Sequence, residues 1–424
     1  MSGRAVRESS LGPLQSGQRV IVIGGGPAGV GCAITLLLEG RRLGREAEVV
    51  IFEAKHFGEH YNQCLGVLSP PFIEILRDNL VATLPRGLVQ REIRGYVLHA
   101  SNAEVVLDGN AVPERSHAVR RAELDRVLLA RANRLGARLM MGRATDLEIT
   151  AAGVTVYGES GTCSGDVVIG AFGTDPAIAR AFSRATAYRP PRVLETVVTK
   201  VHPAGMAFIP KLLGDRIHVF LPSWPGAEFA AVVPKGNHVS VIVAGPRMSS
   251  ADMQAFLATE HVKRLLPRGD VADCFKGTFP ISPARGMYGD RYVTVGDAAG
   301  LVRPYKGKGI NSALITGSLA ARTMLQAGIS RQAFSAFRAG SGDLIGDLWY
   351  GRAVRLMANF ARRRLSFDAL VDRARTDSDL RSVLFDIVSG HETYRNIVRR
   401  RGNVGLLLRT APAMFARGRG SACR

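Results

Sequence analysis

Apolar positions along the chain change their period several times, and each change marks an element. Residues 19–23, Arg-Val-Ile-Val-Ile, form a short β-branched run with glycines directly behind it, the pattern of a strand buried on both faces. Residues 30–39 are apolar at helical spacing, and Glu48-Val-Val-Ile-Phe52 is a second strand closed by Glu53. From about residue 85 to 113 the pattern turns to short alternating strands at 94–99 and 104–107. Residues 119–136 predict an amphipathic helix with Leu124, Val127, Leu128, Ala132 and Leu135 on one face. Two hairpin-like strands at 144–149 and 153–157 precede another buried strand at 166–171. Between 192 and 245 only strand and turn signals occur, with strands at 193–201, 217–221, 229–233 and 238–243, which predicts an antiparallel sheet. Residues 292–295 return to the parallel type, 310–326 form a helix rich in small residues, and 330–424 are helical and heavy in arginine.

The order strand, Gly24-Gly-Gly-Pro-Ala-Gly29, helix, strand, acid is the setting that a dinucleotide fingerprint requires. Gly24 makes the tight turn, Gly26 lets the backbone approach a pyrophosphate, and Gly29 allows close helix–strand packing. The helix start, with Pro27 and Ala28, offers unpaired N–H groups and a positive dipole end to phosphates. Glu53, followed by Ala54, would accept hydrogen bonds from ribose hydroxyls. Its separation from Gly24 exceeds the usual ~20 residues, and the arginine-rich stretch 40–47 absorbs the surplus as a loop.

Charge and cysteine content narrow the field. The 424 residues carry 56 Lys and Arg against 36 Asp and Glu, a net charge of +20, which points to acidic partners. Half of that excess lies beyond residue 330: residues 331–424 hold 18 arginines and 8 acids, a net of +10. Only 7% of residues are aromatic, too few for a base-stacking platform, and no nucleic-acid module is present, so no nucleic-acid partner is expected. Five scattered cysteines (Cys32, Cys64, Cys163, Cys274, Cys423) without a C-x-x-C pair argue against a disulfide framework and a metal site, and fit a reducing, cytoplasmic setting. The polar leader 1–18 lacks the apolar region of a secretory signal. The apolar run 20–38 is interrupted by glycines and is not a membrane span.

Four separated segments resemble the FAD-dependent oxidoreductases of the p-hydroxybenzoate hydroxylase type, and within them the geranylgeranyl reductases most closely. Val22-Ile-Gly-Gly-Gly-Pro-Ala-Gly29 with Glu53 is similar to the family's FAD adenosine-diphosphate site. Arg121-Ala-Glu-Leu-Asp-Arg-Val-Leu128 resembles the segment whose arginine lies along the flavin. Gly296-Asp297-Ala-Ala-Gly300, followed by Pro304, Gly307, Gly309 and Ile310, is similar to the second FAD signature, where the aspartate binds the ribitol and the next helix start faces the flavin. Lys306 and Lys308 stand equally for contacts to an anionic group or for solvated loop charges. His60-Tyr-Asn-Gln-Cys64 resembles the reductase segment that places a cysteine beside the flavin, which makes Cys64 the candidate catalytic residue, with His60 and Tyr61 behind it.

Departures from the family pattern bear on substrate and reductant. In the segment resembling Y-x-W-x-F-P and then G-x-G, this chain has Phe229, Ala231, Val233 and Val243, and smaller side chains widen a pocket. Phe172 stands where the hydroxylases have an aspartate tied to FAD and nicotinamide binding. The electron donor is then external, NADPH or a ferredoxin. The fold expected is α/β: a Rossmann-like FAD-binding domain (19–84, 115–190, 276–330) interleaved with an antiparallel β-sheet substrate domain (85–114, 191–275), plus a basic helical C-terminal region (331–424). The function implied is reduction of carbon–carbon double bonds in a prenyl or lipid-like substrate. The alternatives are a flavin monooxygenase acting on an aromatic or polyketide-like molecule and a non-catalytic flavin-fold factor. The arginine-rich tail, with its apolar stretch 404–408, fits either contact with an anionic membrane surface or a cap packed on the FAD domain.

Overall fold

The computed structural model describes residues 10–56, 64–85, 87–108, 115–203, 208–221, 226–266, 269–302, 309–364, 367–390 and 392–401. Two large sheets organise them. The first has six strands in the order Tyr288–Gly289, Tyr292–Thr294, Val167–Gly170, Arg19–Ile23, Glu48–Glu53, Arg138–Met141, parallel throughout except for the edge pair formed by the first two. Its central strands are apolar on both faces because both are covered, one by helices and the other by the three-stranded layer of residues 144–165, where Gly165 lies against Ile21 and Gly158 against Phe52: Val20, Ile21 and Val22 are fully buried.

Helices Pro27–Arg42 and Gly309–Gln326 pack on this sheet and on each other with their backbones nearly touching. A methyl group on Gly317 would collide with the Ala28 carbonyl, and one on Gly31 would fall 3.0 Å from the Leu314 carbonyl oxygen. The small-residue pattern of the second helix therefore has a packing cause. Thr35 and Ser318 satisfy each other across the contact at 2.8 Å.

The second sheet has eight strands and is antiparallel except where Arg216–Phe220 runs parallel to Gly95–His99. It takes strands from both expected segments, and it runs past residue 275, because Phe275–Pro280 pairs with Val193–Pro203. A short helix, Phe208–Leu212, interrupts the stretch where only strands and turns are expected. Helix Arg121–Arg134 forms as expected, but it buries Leu129 fully and leaves Val127 and Leu135 only half-buried. The hairpin after it gains a third strand, Gly161–Gly165.

The polar leader is not simply external. Leu14 is fully buried, its N–H bonds the Met324 carbonyl at 2.9 Å, and Leu11 accepts from Ile329. Beyond residue 330 the chain is helical. Ala333–Gly340 packs Phe334 and Phe337 into the core of the parallel layer, so the cap on that layer is short. Phe367–Thr376 and Ser378–Ser389 lie instead on the antiparallel sheet, where Val371, Ala374, Leu384 and Phe385 join Tyr96 and Leu98 in one apolar cluster. Glu228 on that sheet holds Arg355 of helix Gly342–Arg364 through two hydrogen bonds, one of 2.7 Å. Among the described residues, no helix is long and apolar enough to cross a membrane. The apolar stretch 404–408 lies outside the described residues.

Candidate active site

The glycine turn sits at the carboxyl end of the first strand. Gly24 has φ +106°, its N–H donates to the Phe52 carbonyl at 2.8 Å, and a side chain there would strike the Ala171 carbonyl. At Gly29 a side chain would strike the Gly24 carbonyl. Both glycines are thus demanded by the protein's own backbone. Gly26 is different: among the described residues, a methyl group there would meet nothing within 4 Å. It caps helix Pro27–Arg42 without a side-chain hydrogen bond, so this open space adjoins the positive end of a 16-residue helix. Such a cradle fits a pyrophosphate.

Glu53 is 7% exposed. Its Oε2 accepts from Gly25 N–H and its Oε1 from Lys55 N–H, both at 2.7 Å, so the carboxylate braces the turn and keeps one lone pair on each oxygen. Burial pushes its pKa up, against the pull of those two N–H groups. Ala54 continues the strand end, half-buried.

The second signature forms a 3-10 turn, Gly296–Ala299. Gly296 (φ +60°) donates to Thr316 Oγ1 at 3.0 Å, and Tyr188 Oη donates to the Ala298 carbonyl at 2.8 Å, which fixes the turn from both sides. A methyl group on Gly296 would lie 2.8 Å from Ala28 Cβ, so this turn abuts the glycine-turn helix. One on Gly309 would lie 3.1 Å from Asp297 Oδ1, so the start of helix Gly309–Gln326 faces that carboxylate. Ile310 is buried beneath it. Burial pushes the Asp297 carboxyl up, and Arg121 opposes the shift. Pro304, Lys306, Gly307 and Lys308 lie outside the described residues, as do His60 and Tyr61.

Arg121 joins these pieces to the sheet. Its Nε donates to Asp125 Oδ1 at 2.8 Å, a pair with side chains only 14% and 5% exposed. Burial works against the guanidinium charge, but Asp125 and Cys64 outweigh it and raise the pKa. Cys64 Sγ accepts from Gly66 N–H at 3.4 Å. The next residues in the turn, Leu65 and Val67, pack on the face of the antiparallel sheet that carries Val198, Ala231, Val233 and Ile242. Of the four departures from the family pattern, Phe229, Ala231 and Val233 share this face. Val243 belongs to the opposite face, among Met253 and Phe256, and cannot shape the same surface. Phe172, half-buried, has its ring centre 5.0 Å from that of Phe182 and packs edge-on to Tyr188.

One residue of this site escapes sequence reasoning. Lys235 is 2% exposed and donates to the carbonyls of Gly66 at 3.0 Å and Val119 at 2.9 Å. Its only signal is its place, one residue past the strand Phe229–Pro234 on the face of Ala231 and Val233.

Residues 18–327 match the model of the FAD binding domain family. The chain belongs to that family. FAD is its cofactor, and the protein is an FAD-dependent oxidoreductase. It is 27% identical over 330 residues to a geranylgeranyl diphosphate reductase of Synechocystis sp., covering 72% of this chain and 75% of that one. It is 26% identical to a digeranylgeranylglycerophospholipid reductase of Methanothrix thermoacetophila, covering 73% and 78%. A solved structure of a geranylgeranyl bacteriochlorophyll reductase-like protein from Thermoplasma acidophilum superposes with TM-score 0.71 at 18% identity, covering 92% of this chain and all of that one. The flavoenzyme fold with its helical C-terminal region is therefore that of the geranylgeranyl reductase-like proteins.

Proposed function

We propose that this FAD enzyme reduces carbon–carbon double bonds of a prenyl or other lipid-like substrate. The observation that carries this reading is the seating of the turn after Cys64: Leu65 and Val67 lie on a continuous apolar sheet face, walled further along by Val371, Leu384 and Phe385 of the C-terminal helices. Apolar side chains at that turn favour a hydrocarbon over a polar aromatic substrate. The relatives named as reductases of geranylgeranyl compounds support the same choice.

The residues assigned to FAD are Gly24, Gly26, Pro27, Ala28, Gly29, Glu53 and Ala54 for the adenosine-diphosphate half, and Arg121, Gly296, Asp297, Gly307, Gly309 and Ile310 for the flavin half. Bound FAD supplies hydride. Cys64, beside Arg121, is assigned the flavin-side proton donor to the substrate. The reductant is an external donor, NADPH or a ferredoxin; an apolar Phe172, half-buried against Phe182, in place of the hydroxylases' aspartate supports the latter. The substrate class and the arginine excess also favour contact with an anionic membrane surface. Trp349 (60% exposed) and Leu356 (67% exposed) share one face of helix Gly342–Arg364, and the Arg352 guanidinium lies 4.9 Å over the Trp349 ring.

Anaerobic incubation of the dithionite-reduced enzyme with a panel of prenyl diphosphates and prenylated lipids tests the reaction, read by product mass. A gain of two hydrogens per turnover is expected. Rapid bleaching by NADPH alone, with oxygen uptake on an aromatic substrate, overturns the reading in favour of a monooxygenase. For the membrane contact, a Trp224→Phe variant leaves Trp349 as the sole tryptophan. Its emission is expected to move to the blue with anionic vesicles and to stay unmoved with neutral ones. An unmoved spectrum with both sinks the contact.

A further inference from the structure

Burying an ammonium is costly unless it is paired, and proteins pair buried lysines with carboxylates. Lys235 departs from that practice. Among the described residues its acceptors are two neutral backbone carbonyls, and the titratable groups that bear on it are Cys64, which favours its protonated form, and Lys200, which opposes it. Burial, aided by Lys200, lowers its pKa to about 7. His238, Arg120 and His202 crowd the same sheet end, and the first of these is itself held neutral by burial and by Lys200, Lys235, His202 and Arg120. For stability alone, an apolar side chain of equal length would serve as well.

The two carbonyls explain the choice. Gly66 belongs to the turn of Cys64 and Val119 precedes the helix that begins at Arg121, while Lys235 follows the end of strand Phe229–Pro234 of the antiparallel sheet. Gly66 O also accepts Val119 N–H at 2.8 Å, so one oxygen gathers both segments. Gly66 has φ +62°, and a side chain there would strike the Val119 carbonyl and approach Lys235 Nζ to 3.2 Å. The glycine makes room for the ammonium. The Arg91 guanidinium closes the far side by donating to the Lys235 carbonyl at 2.9 Å.

We propose that Lys235 is the positioning residue of the flavin site, tying the turn of Cys64 and the helix start of Arg121 to the end of the substrate-side sheet through the carbonyls of Gly66 and Val119. It acts through those two residues and not by touching substrate. The inference rests on the assignment of Cys64 and Arg121 to the flavin half but not on the substrate, and it holds equally for a monooxygenase.

The test uses the full-length protein with Lys235→Met and Lys235→Arg. Hydrogen exchange at the Val119 amide, which donates to Gly66 O, reads the tie directly. Lys235→Met is expected to speed it about tenfold, the equivalent of one lost charge-assisted hydrogen bond, while the strand Arg19–Ile23 keeps its protection. FAD is expected to bind about tenfold more weakly to Lys235→Met, and Lys235→Arg to recover to within about threefold. In the wild type FAD affinity should fall between pH 6 and 8.5 as the ammonium loses its proton, and in Lys235→Arg it should not. Unchanged exchange in Lys235→Met overturns the proposal. Faster exchange with unchanged FAD affinity also overturns it, because the tie would then lie outside the flavin site. Should Lys235→Met fail to fold, Lys235→Gln, too short to reach both carbonyls, takes its place, and unchanged Val119 exchange in it overturns the proposal just as well.

Discussion

The two layers that meet at the site bury mostly opposite kinds of titratable group. The parallel layer hides acids at the cofactor end: Glu53, braced by backbone N–H groups, Asp125 under Arg121, and Asp297 at the second signature. Apart from Glu228, paired with Arg355, the antiparallel sheet hides bases: Lys235, His238, and the pair His99 and His218, whose rings meet at 2.9 Å, with His99 stacked on Phe220. The difference follows from what each layer can offer. Helix starts and a glycine turn supply N–H groups that satisfy carboxylates. The sheet end supplies carbonyls and rings, which satisfy donors. A further contrast is that the acids sit on backbone the sequence specifies locally, whereas the bases are assembled from strands far apart in the chain.

That contrast can be broken most forcefully at the glycine turn. Gly29→Ala drives a methyl group into the Gly24 carbonyl and is expected to cost 3 kcal/mol or more, at the upper end of overpacking (about 1–3 kcal/mol) or beyond it, with loss of folded protein in a denaturant titration. A Gly29→Ala protein as stable as wild type would show that the turn is not built as described.

On the sheet side, Arg355→Ala leaves Glu228, whose side chain is 2% exposed, without its partner. A loss of about 3 kcal/mol is expected, and the double replacement Glu228→Leu with Arg355→Leu should recover most of it. Equal losses for the single and double variants would place the stabilisation elsewhere.

The pH response separates the layers by sign. Burial lowers the pKa of His99 to about 3 and that of His218 to about 4, so the unfolded chain takes up protons first as pH falls below about 6.5. Stability contributed here is present at pH 7 and declines toward pH 4, by about 2 kcal/mol per imidazole at pH 5 before coupling between the two is counted. Glu53 and Asp297 act oppositely: their raised pKa values make the folded state the tighter proton binder, so their contribution improves on acidification through the carboxylate range. His99→Phe with His218→Met should therefore flatten the fall between pH 7 and 5, measured by urea titration. An unaltered slope would remove the pair from the account.

Gly26→Ala gives the smallest expected change in stability. With open space around it, the apo protein should lose no more than about 1 kcal/mol, the scale of a changed helix cap, while FAD binds at least tenfold more weakly. Equal FAD affinity would show that the space at Gly26 is not the pyrophosphate cradle.

Much of the parallel layer was legible in the sequence for the same local reasons. Val20 to Ile23, the glycine turn, Glu53 and the small-residue helix after Gly309 each declare themselves within a few residues, because a turn with φ +106° or a backbone-to-backbone helix contact admits almost nothing but glycine. The buried side of helix Arg121–Arg134 shifted from Val127 to Leu129, since packing partners and not periodicity alone choose between adjacent apolar positions. Leu14 looked like part of a polar leader, and a single buried leucine has no period to reveal it. The C-terminal helices were legible as helices, but their seat on the sheet at Tyr96 and Phe385 was not.

By itself, the sequence determined the FAD half of this protein: the order strand, glycine turn, helix, acid, and a second aspartate turn ahead of another helix. The tertiary structure alone decided the substrate-side half. Lys235 is 169 residues from Gly66 and 116 from Val119, and His99 is 119 from His218. Nothing within one segment signals such meetings, because a side chain's partner across two sheets is set by strand register and by the packing of one layer on the other, which no local pattern carries.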